Sequence, residues 1–293
     1  MTKKRLKYYW LLASLIGLSY FCLCSQLFGQ QSGIKPMLGR QINWSHPLSR
    51  GLVGCWLMNE GAGNIVNDIN GNGQHCTRSA GATWVASKTG PGVYLRGGTS
   101  DDYLLVVDAK QVLKFQGAND SFTVSMLIKM GTVGAVQSLA WIQDTDNDMW
   151  RIYVQANNTI RGSLNAIDFT STTTVLLNTW VHLVVVFNKN GNGLFYFNGV
   201  VNDSGTALNN EVLSLTSNDL YFGIAPPAPD KLYEANITFD HIMIYNRALS
   251  ASEIAYLYHS PFCMFKPSFD LYLIGGIVIP GVSGGQIIMI GEF

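Results

Sequence analysis

Two Asn-Gly pairs, Asn190-Gly191 and Asn198-Gly199, bracket the β-favourable run Leu194 to Phe197, directly after the unbroken apolar stretch Leu183-Val184-Val185-Val186-Phe187. Asn-Gly tolerates the positive φ of a type I′ hairpin turn. The spacing therefore predicts a meander of three strands, with the apolar stretch as a central strand covered on both faces. The same punctuation runs along the chain. Short β-favourable runs at 51–58, 93–96, 103–107, 122–130, 150–155, 180–187, 194–197, 220–223 and 237–245 are separated by clusters of Asn, Asp and Gly, the last numbering 30 of 293 residues. Between Asp120 and Lys129, Phe122, Val124, Met126 and Ile128 alternate with Thr123 and Ser125, which predicts one buried and one solvated face. Many short antiparallel strands with regular turns make an all-β, two-sheet jelly-roll sandwich the expected fold. One short C-terminal helix interrupts it: Ser250-Ala251-Ser252-Glu253 is a capping box with Leu249 and Ile254 at the staple positions, and the helix should end near Tyr258.

The ends of the chain read differently. Lys3, Lys4, Arg5 and Lys7 precede the apolar run Tyr8 to Cys24, and no further charge appears until Lys35. This is the pattern of a secretory signal peptide. As a helix the run would be about 26 Å long, the short limit for a hydrocarbon core of ~30 Å, so residues 1–29 read as a signal peptide or a membrane anchor on an N-terminal apolar helix. Residues 30–42 form a linker, 43–262 the sandwich domain, and 263–293 an apolar, Gly-rich tail in which short strands are expected at 277–279 and 286–290. An exposed tail of this kind would pair with another chain. Charge is also asymmetric: residues 51–293 carry 12 bases against 19 acids, a poor match for polyphosphate, so nucleic acid is excluded as a partner. Cys55, Cys76 and Cys263 show no zinc or redox spacing and read as thiols with at most one bridge.

Several motifs stand in one order. Leu52-Val53-Gly54-Cys55-Trp56-Leu57-Met58-Asn59-Glu60-Gly61 opens the domain, and Gly92-Val93-Tyr94-Leu95, Ser121-Phe122-Thr123-Val124-Ser125, Thr179-Trp180-Val181-His182-Leu183 and Tyr196-Phe197-Asn198-Gly199 follow. Phe239-Asp240-His241-Ile242-Met243-Ile244-Tyr245-Asn246-Arg247-Ala248-Leu249-Ser250 closes it. This series resembles the LamG-like jelly-roll domains of the concanavalin A-like lectin/glucanase group, over residues 43–260. The resemblance implies a binding module that takes glycans, secreted or anchored at a cell or virion surface. It also implies a structural calcium where the first and last strands meet, with Glu60, Asp68 and Asp240 as donors; calcium takes six to eight oxygens. His241 stands where an acid is common in this group, and Cys55 where an aromatic is common.

Related glucanases carry their acids on one strand, including two glutamates, because residues i and i+2 share a face. The alternating acids here, Asp144, Asp146 and Asp148, include no Glu, and no nucleophile elbow accompanies the five His, so no catalytic residue is assigned. Sugar sites combine an aromatic face with polar hydrogen-bond partners. Trp150, Arg151 and Tyr153, beside the Asp144–Asp148 segment, are the nearest local cluster and the candidate ligand-binding residues; Trp56, Trp84, Trp141 and Trp180 are expected in the core, and a core position is also the favoured alternative for Trp150. The alternative function is an adhesion or structural module with protein partners, including self-association through the tail.

Overall fold

The computed structural model describes residues 33–98, 102–108, 110–143, 149–202, 205–216, 219–225 and 233–266, with the backbone of Leu271–Ile274 and Ile277–Pro280. The N-terminal segment 1–29, the acids Asp144–Asp148 and the strand expected at 286–290 lie outside these residues.

In chain order the strands are β1 (Leu52–Trp56), β2 (Ile65–Val66), β3 (Cys76–Arg78), β4 (Thr83–Ala86), β5 (Pro91–Arg96), β6 (Leu104–Val107), β7 (Phe122–Met130), β8 (Gln137–Gln143), β9 (Met149–Val154) and β10 (Thr159–Leu164). They continue as β11 (Ile167–Thr174), β12 (Trp180–Phe187), β13 (Asn192–Phe197), β14 (Val200–Val201), β15 (Thr206–Ala207), β16 (Asp219–Phe222), β17 (Asn236–Tyr245), β18 (Leu271–Ile274) and β19 (Ile277–Pro280), with helix α1 (Ala251–His259) after β17. One sheet runs β14-β13-β12-β7-β17-β5-β4, with β1 against β17 and β15 against β13; the other runs β11-β10-β9-β8-β16-β6-β3-β2. The pairings within both sheets are antiparallel. The opening and closing motifs lie side by side, Leu52 opposite Tyr245 and Trp56 opposite Ile242. Among the described residues, the tail strands β18 and β19 pair only with each other.

Alternation decides which side chains meet between the sheets. Phe122, Val124, Met126 and Ile128 of β7, Leu183, Val185 and Phe187 of β12, and Trp150, Ile152 and Val154 of β9 join one core cluster. Phe122 stacks on Phe115 and Phe187, each at 4.3 Å. A second apolar layer covers the outer face of the β7 sheet, where Val184, Val186, Met243 and Tyr245 meet Ile254 and Leu257 of α1 and Ile42, Leu48, Leu52 and Leu57. The face of β7 expected in solvent is therefore buried: Thr123 donates to the Arg247 carbonyl at 2.8 Å, and Ser125 Oγ meets His182 Nε2 at 2.9 Å.

The hairpin at Asn198-Gly199 has positive φ at both positions, 51° and 82°, as a type I′ turn requires. Asn190-Gly191 does not. Its loop is four residues long, closed by Gly191 N–H to Asn188 C=O at 2.9 Å, and neither residue has positive φ. Helix α1 carries the expected capping box on Ser250, and Arg247 pairs with Glu253 at 2.8 Å.

One irregularity positions chemistry. In β17, Phe239 pairs with Ile128 and His241 with Leu127, so Asp240 is an extra residue, a β-bulge. Phe239 packs inward and Asp240 and His241 both turn to the outer face, after which Ile242 and Ile244 return to the core. Cys55, Cys76 and Cys263 are free thiols, pushed up in pKa first by burial. Among the described residues, no helix is long and apolar enough to cross a membrane.

Candidate functional site

Strand parity splits the expected ligand cluster. Trp150 and Ile152 point between the sheets, Arg151 and Tyr153 away from them. Trp150 has no exposed surface; its indole N–H donates to the Leu113 carbonyl at 3.0 Å and its ring lies 5.2 Å from Phe122. It is a core residue and unavailable to a ligand. Trp141 takes its place on the outside. Expected in the main core, it instead belongs to a small outer cluster with Met149 and Ala225. Trp56 is fully buried and Trp84 packs against the core at its margin, while Lys129 sits over the Trp180 ring at 5.3 Å.

Arg151 and Tyr153 thus stand on the outer face of the β8–β11 sheet among partners that are distant in sequence. A cross-strand row links Tyr221, Trp141, Arg151, Ser163 and Asp168, each opposite the next. Beside it, Tyr153 stands opposite Arg161. The Arg151 guanidinium lies 4.6 Å from the Trp141 ring centre and 5.1 Å from that of Tyr153, and its Nε donates to Ser163 Oγ at 3.2 Å. Tyr233 stacks on Trp141 at 5.8 Å with 13° between planes, and Tyr103 leans on Tyr221 at 5.9 Å. Arg161 pairs with Asp168 at 3.0 Å and lies 6.0 Å from the Tyr153 ring.

The layers have different roles. Trp141 and Tyr153 are almost covered, 3% and 9% exposed, and form the base; Tyr233 is 38% exposed and offers the accessible ring. Arg151 and Arg161 are half-buried and Asp168 is exposed. Burial, then the nearby Asp219, raises the Tyr221 hydroxyl above its ordinary range. A ring face for apolar C–H patches, two guanidinium donors and one carboxylate acceptor are the groups that recognise sugar hydroxyls. Trp141, Arg161, Asp168, Tyr221 and Tyr233 were not singled out from the sequence. In Thr159–Leu164, the alternation of Ile160 and Leu164 with Arg161 and Ser163 was the available signal.

The carboxylates expected to hold calcium sit in separate hydrogen-bond networks. Asp68 accepts the backbone N–H groups of Cys55 at 3.0 Å and of Asn70 and Gln74 at 3.2 Å. Asp240 accepts from Ser87 Oγ, Thr89 N–H, Thr89 Oγ1 and His241 Nδ1 at 2.6–2.9 Å. Glu60 binds Asn67 through Oε1, while its buried Oε2 has no hydrogen-bond partner. Among the described residues, no three His, Cys, Asp or Glu side chains gather as metal ligands. The three carboxylates do not converge on one point and their oxygens are largely taken up by protein donors, so this set does not assemble a calcium site. Thermal melts in millimolar calcium and in chelator are expected to coincide; a calcium-dependent rise in Tm would overturn this.

A family profile described as the concanavalin A-like lectin/glucanases superfamily matches residues 96–255. No curated protein matches the chain. Among solved structures, the chain is similar to the binding domain of Paraclostridial Mosquitocidal Protein 1, with a TM-score of 0.61 and 19% identity over 78% of this chain and 56% of that one. It is also similar to Trypanosoma rangeli sialidase in complex with sialic acid (TM-score 0.54, 19% identity, 73% of this chain and 33% of that one). A third is botulinum neurotoxin type C, whose cell entry depends upon interaction with two ganglioside molecules (TM-score 0.56, 16% identity, 72% and 51%). The chain spans between a third and just over half of these proteins, and at such identities the likeness is one of fold. Two antiparallel sheets in jelly-roll order and a profile covering more than half of the sequence lead to one conclusion: the chain belongs to the concanavalin A-like lectin/glucanases superfamily.

Proposed function

We propose that the protein is a non-catalytic glycan-binding module that reads its ligand on the outer face of the β8–β11 sheet. The observation that carries this reading is the exposed Tyr233 ring, stacked on Trp141 and flanked by Arg151, Arg161 and Asp168. Such a face binds by ring–C–H contact and by hydrogen bonds from fixed donors. The fold neighbours support it, since they include a toxin binding domain and a neurotoxin that interacts with gangliosides. The same superfamily name covers glucanases, so the argument rests on the site and not on the fold. An extracytoplasmic location, reached through the basic and apolar N-terminus, accords with a module that meets glycans outside the cell.

A glycan array with the full chain, including bacterial wall and algal polysaccharides, tests the proposal. Binding is expected, and Tyr233→Ala and Arg151→Ala are each expected to weaken it by about tenfold or more, since a stacked ring or a charge-assisted hydrogen bond is lost. Both side chains are partly accessible, so the fold should persist. An array without hits, or hits unchanged by both variants, would overturn the reading and favour a protein partner.

A further inference from the structure

On the opposite side of the sandwich a cavity of about 300 Å³ opens between α1 and strands β7, β12 and β17, walled by Leu127, His182, His241, Leu257 and Tyr258, with Lys88 and His259 also on its lining. The bulge at Asp240 brings His241 into it. His182 and His241 flank Leu127 from the two neighbouring strands. Lys88 and His259 are exposed, so water meets their polar groups and neither sets a charge for the interior. Lys35 and Asp240 balance each other at 3.4 Å, and Thr89 Oγ1 is taken up by Asp240 at 2.6 Å. The interior is left with two buried imidazoles between apolar walls.

Hydrogen bonding assigns the proton on each ring. His182 is 3% exposed and stacks on Tyr258 at 5.9 Å. Its Nε2 meets Ser125 Oγ at 2.9 Å, but its buried Nδ1 has no hydrogen-bond partner. Ser125 is fully buried, and among the described residues its hydroxyl has no second partner, so its proton is satisfied only when donated to Nε2. Burial holds the His182 imidazole neutral, with its pKa lowered to about 3, so its one ring proton sits on Nδ1. A buried N–H left without an acceptor calls for an explanation. His241 is arranged the other way round. Burial alone would raise the Asp240 carboxyl, but His241, Lys35 and Ser87 outweigh it and hold it well below the usual carboxylate range. As an acceptor only, Asp240 requires His241 Nδ1 to carry the proton of their 2.7 Å bond, which leaves Nε2 of the neutral ring as an unused lone pair. The cavity therefore offers one donor, one acceptor and no net charge.

We propose that this cavity is a second binding site, taking an uncharged molecule with an apolar body and one group, such as a hydroxyl, that both accepts and donates a hydrogen bond. The hydroxyl oxygen accepts from His182 Nδ1–H, its proton turns to His241 Nε2, and the body lies against Leu127, Leu257 and the Tyr258 ring. Each alternative leaves a group unmet. A hydrocarbon would leave the His182 N–H buried without an acceptor. A carboxylate would set its lone pairs against that of His241, and an ammonium its N–H groups against that of His182; either would bury a charge that nothing in the interior balances. The volume is about twice the ~150 Å³ that holds benzene in an engineered apolar cavity, so one six-membered ring fits.

Isothermal titration of the full chain at about pH 8, where an ordinary imidazole is neutral, tests the proposal with one ring carrying different polar groups: benzyl alcohol, benzyl methyl ether, toluene, benzoate and benzylammonium. Saturable binding is expected with benzyl alcohol, and binding weaker by about tenfold or more with each of the others. Nitrogen-15 NMR of the wild-type imidazoles should show His182 protonated on Nδ1, with a signal that moves on adding benzyl alcohol and not on adding toluene. His182→Phe should weaken alcohol binding by about tenfold or more. Any of the other four compounds binding as tightly as the alcohol, a His182 proton on Nε2, or no saturable alcohol binding, the result for a cavity that holds water only, would overturn the proposal. The ligand series and the spectrum use the unaltered protein, so they decide the question even if His182→Phe fails to fold.

Discussion

Asp240→Ala is expected to cost about 3–5 kcal/mol, the usual loss when one partner of a buried ion pair is removed. Asp240 has no exposed surface and the Lys35 side chain is 3% exposed. Without the carboxylate, Lys35 keeps its bond to the Pro91 carbonyl, but its charge loses the attraction that offsets its burial. Burial already lowers Lys35 to a pKa of about 8 against the pull of Asp240. Ser87, Thr89 and His241 lose their acceptor in the same step. A loss of this size is a large share of the 5–15 kcal/mol that holds a typical domain together. Urea unfolding should show a lower midpoint with an unchanged slope. The double variant Lys35→Met, Asp240→Asn removes both charges and should be the more stable of the two. A cost of less than about 1 kcal/mol would show that the Lys35–Asp240 pair contributes little to stability.

The second large effect is acid sensitivity centred on His182. Burial first, then the neighbouring His241 and Lys88, lowers this imidazole from 6.5 to about 3. In the unfolded chain it takes up a proton near pH 6.5, whereas the folded protein resists until about pH 3. Between these values the unfolded state binds the extra proton, so stability falls as the pH falls, by about 1.4 kcal/mol per unit. From pH 6.5 to about 4.5, before Glu253 and Asp240 lose the stabilisation that comes from their lowered values, the loss amounts to roughly 2–3 kcal/mol. His182→Phe keeps a ring against Tyr258 and removes this titrating group, so its stability should fall much less over that interval, with the lowered His46 leaving a residual slope. Parallel slopes for the two proteins, measured by denaturant titration across the pH range, would refute the assignment.

Much of the sandwich was legible because it follows from local pattern. The alternation of Phe122, Val124, Met126 and Ile128 placed β7, and Asn198-Gly199 placed a hairpin whose φ values match its turn type. Ser250 and Glu253 marked the helix start at the observed position. Errors arose where tertiary context decides. Thr123 and Ser125 are polar yet buried, because a second layer lies over their face. Asn190-Gly191 was assigned a tight turn although its loop has room for a different one. At the candidate site, the two-residue period of a strand separates Trp150, whose core alternative holds, from Arg151 and Tyr153 on the outer face. Trp141, Tyr221 and Tyr233 could not be joined to that cluster without knowing that β8 lies between β9 and β16. The extra residue at Asp240 has no local signal, since a bulge is defined only against the partner strand.

The pairing of Ile42 with Phe265 and the bond from Lys266 N–H to the Gln41 carbonyl join the segment before the first strand to the segment after α1, over the second apolar layer. This junction lies on the side of the sandwich away from Tyr233. A ligand held at the proposed glycan face would lie on the opposite side of the body from this junction, so contacts made at one would leave the other free.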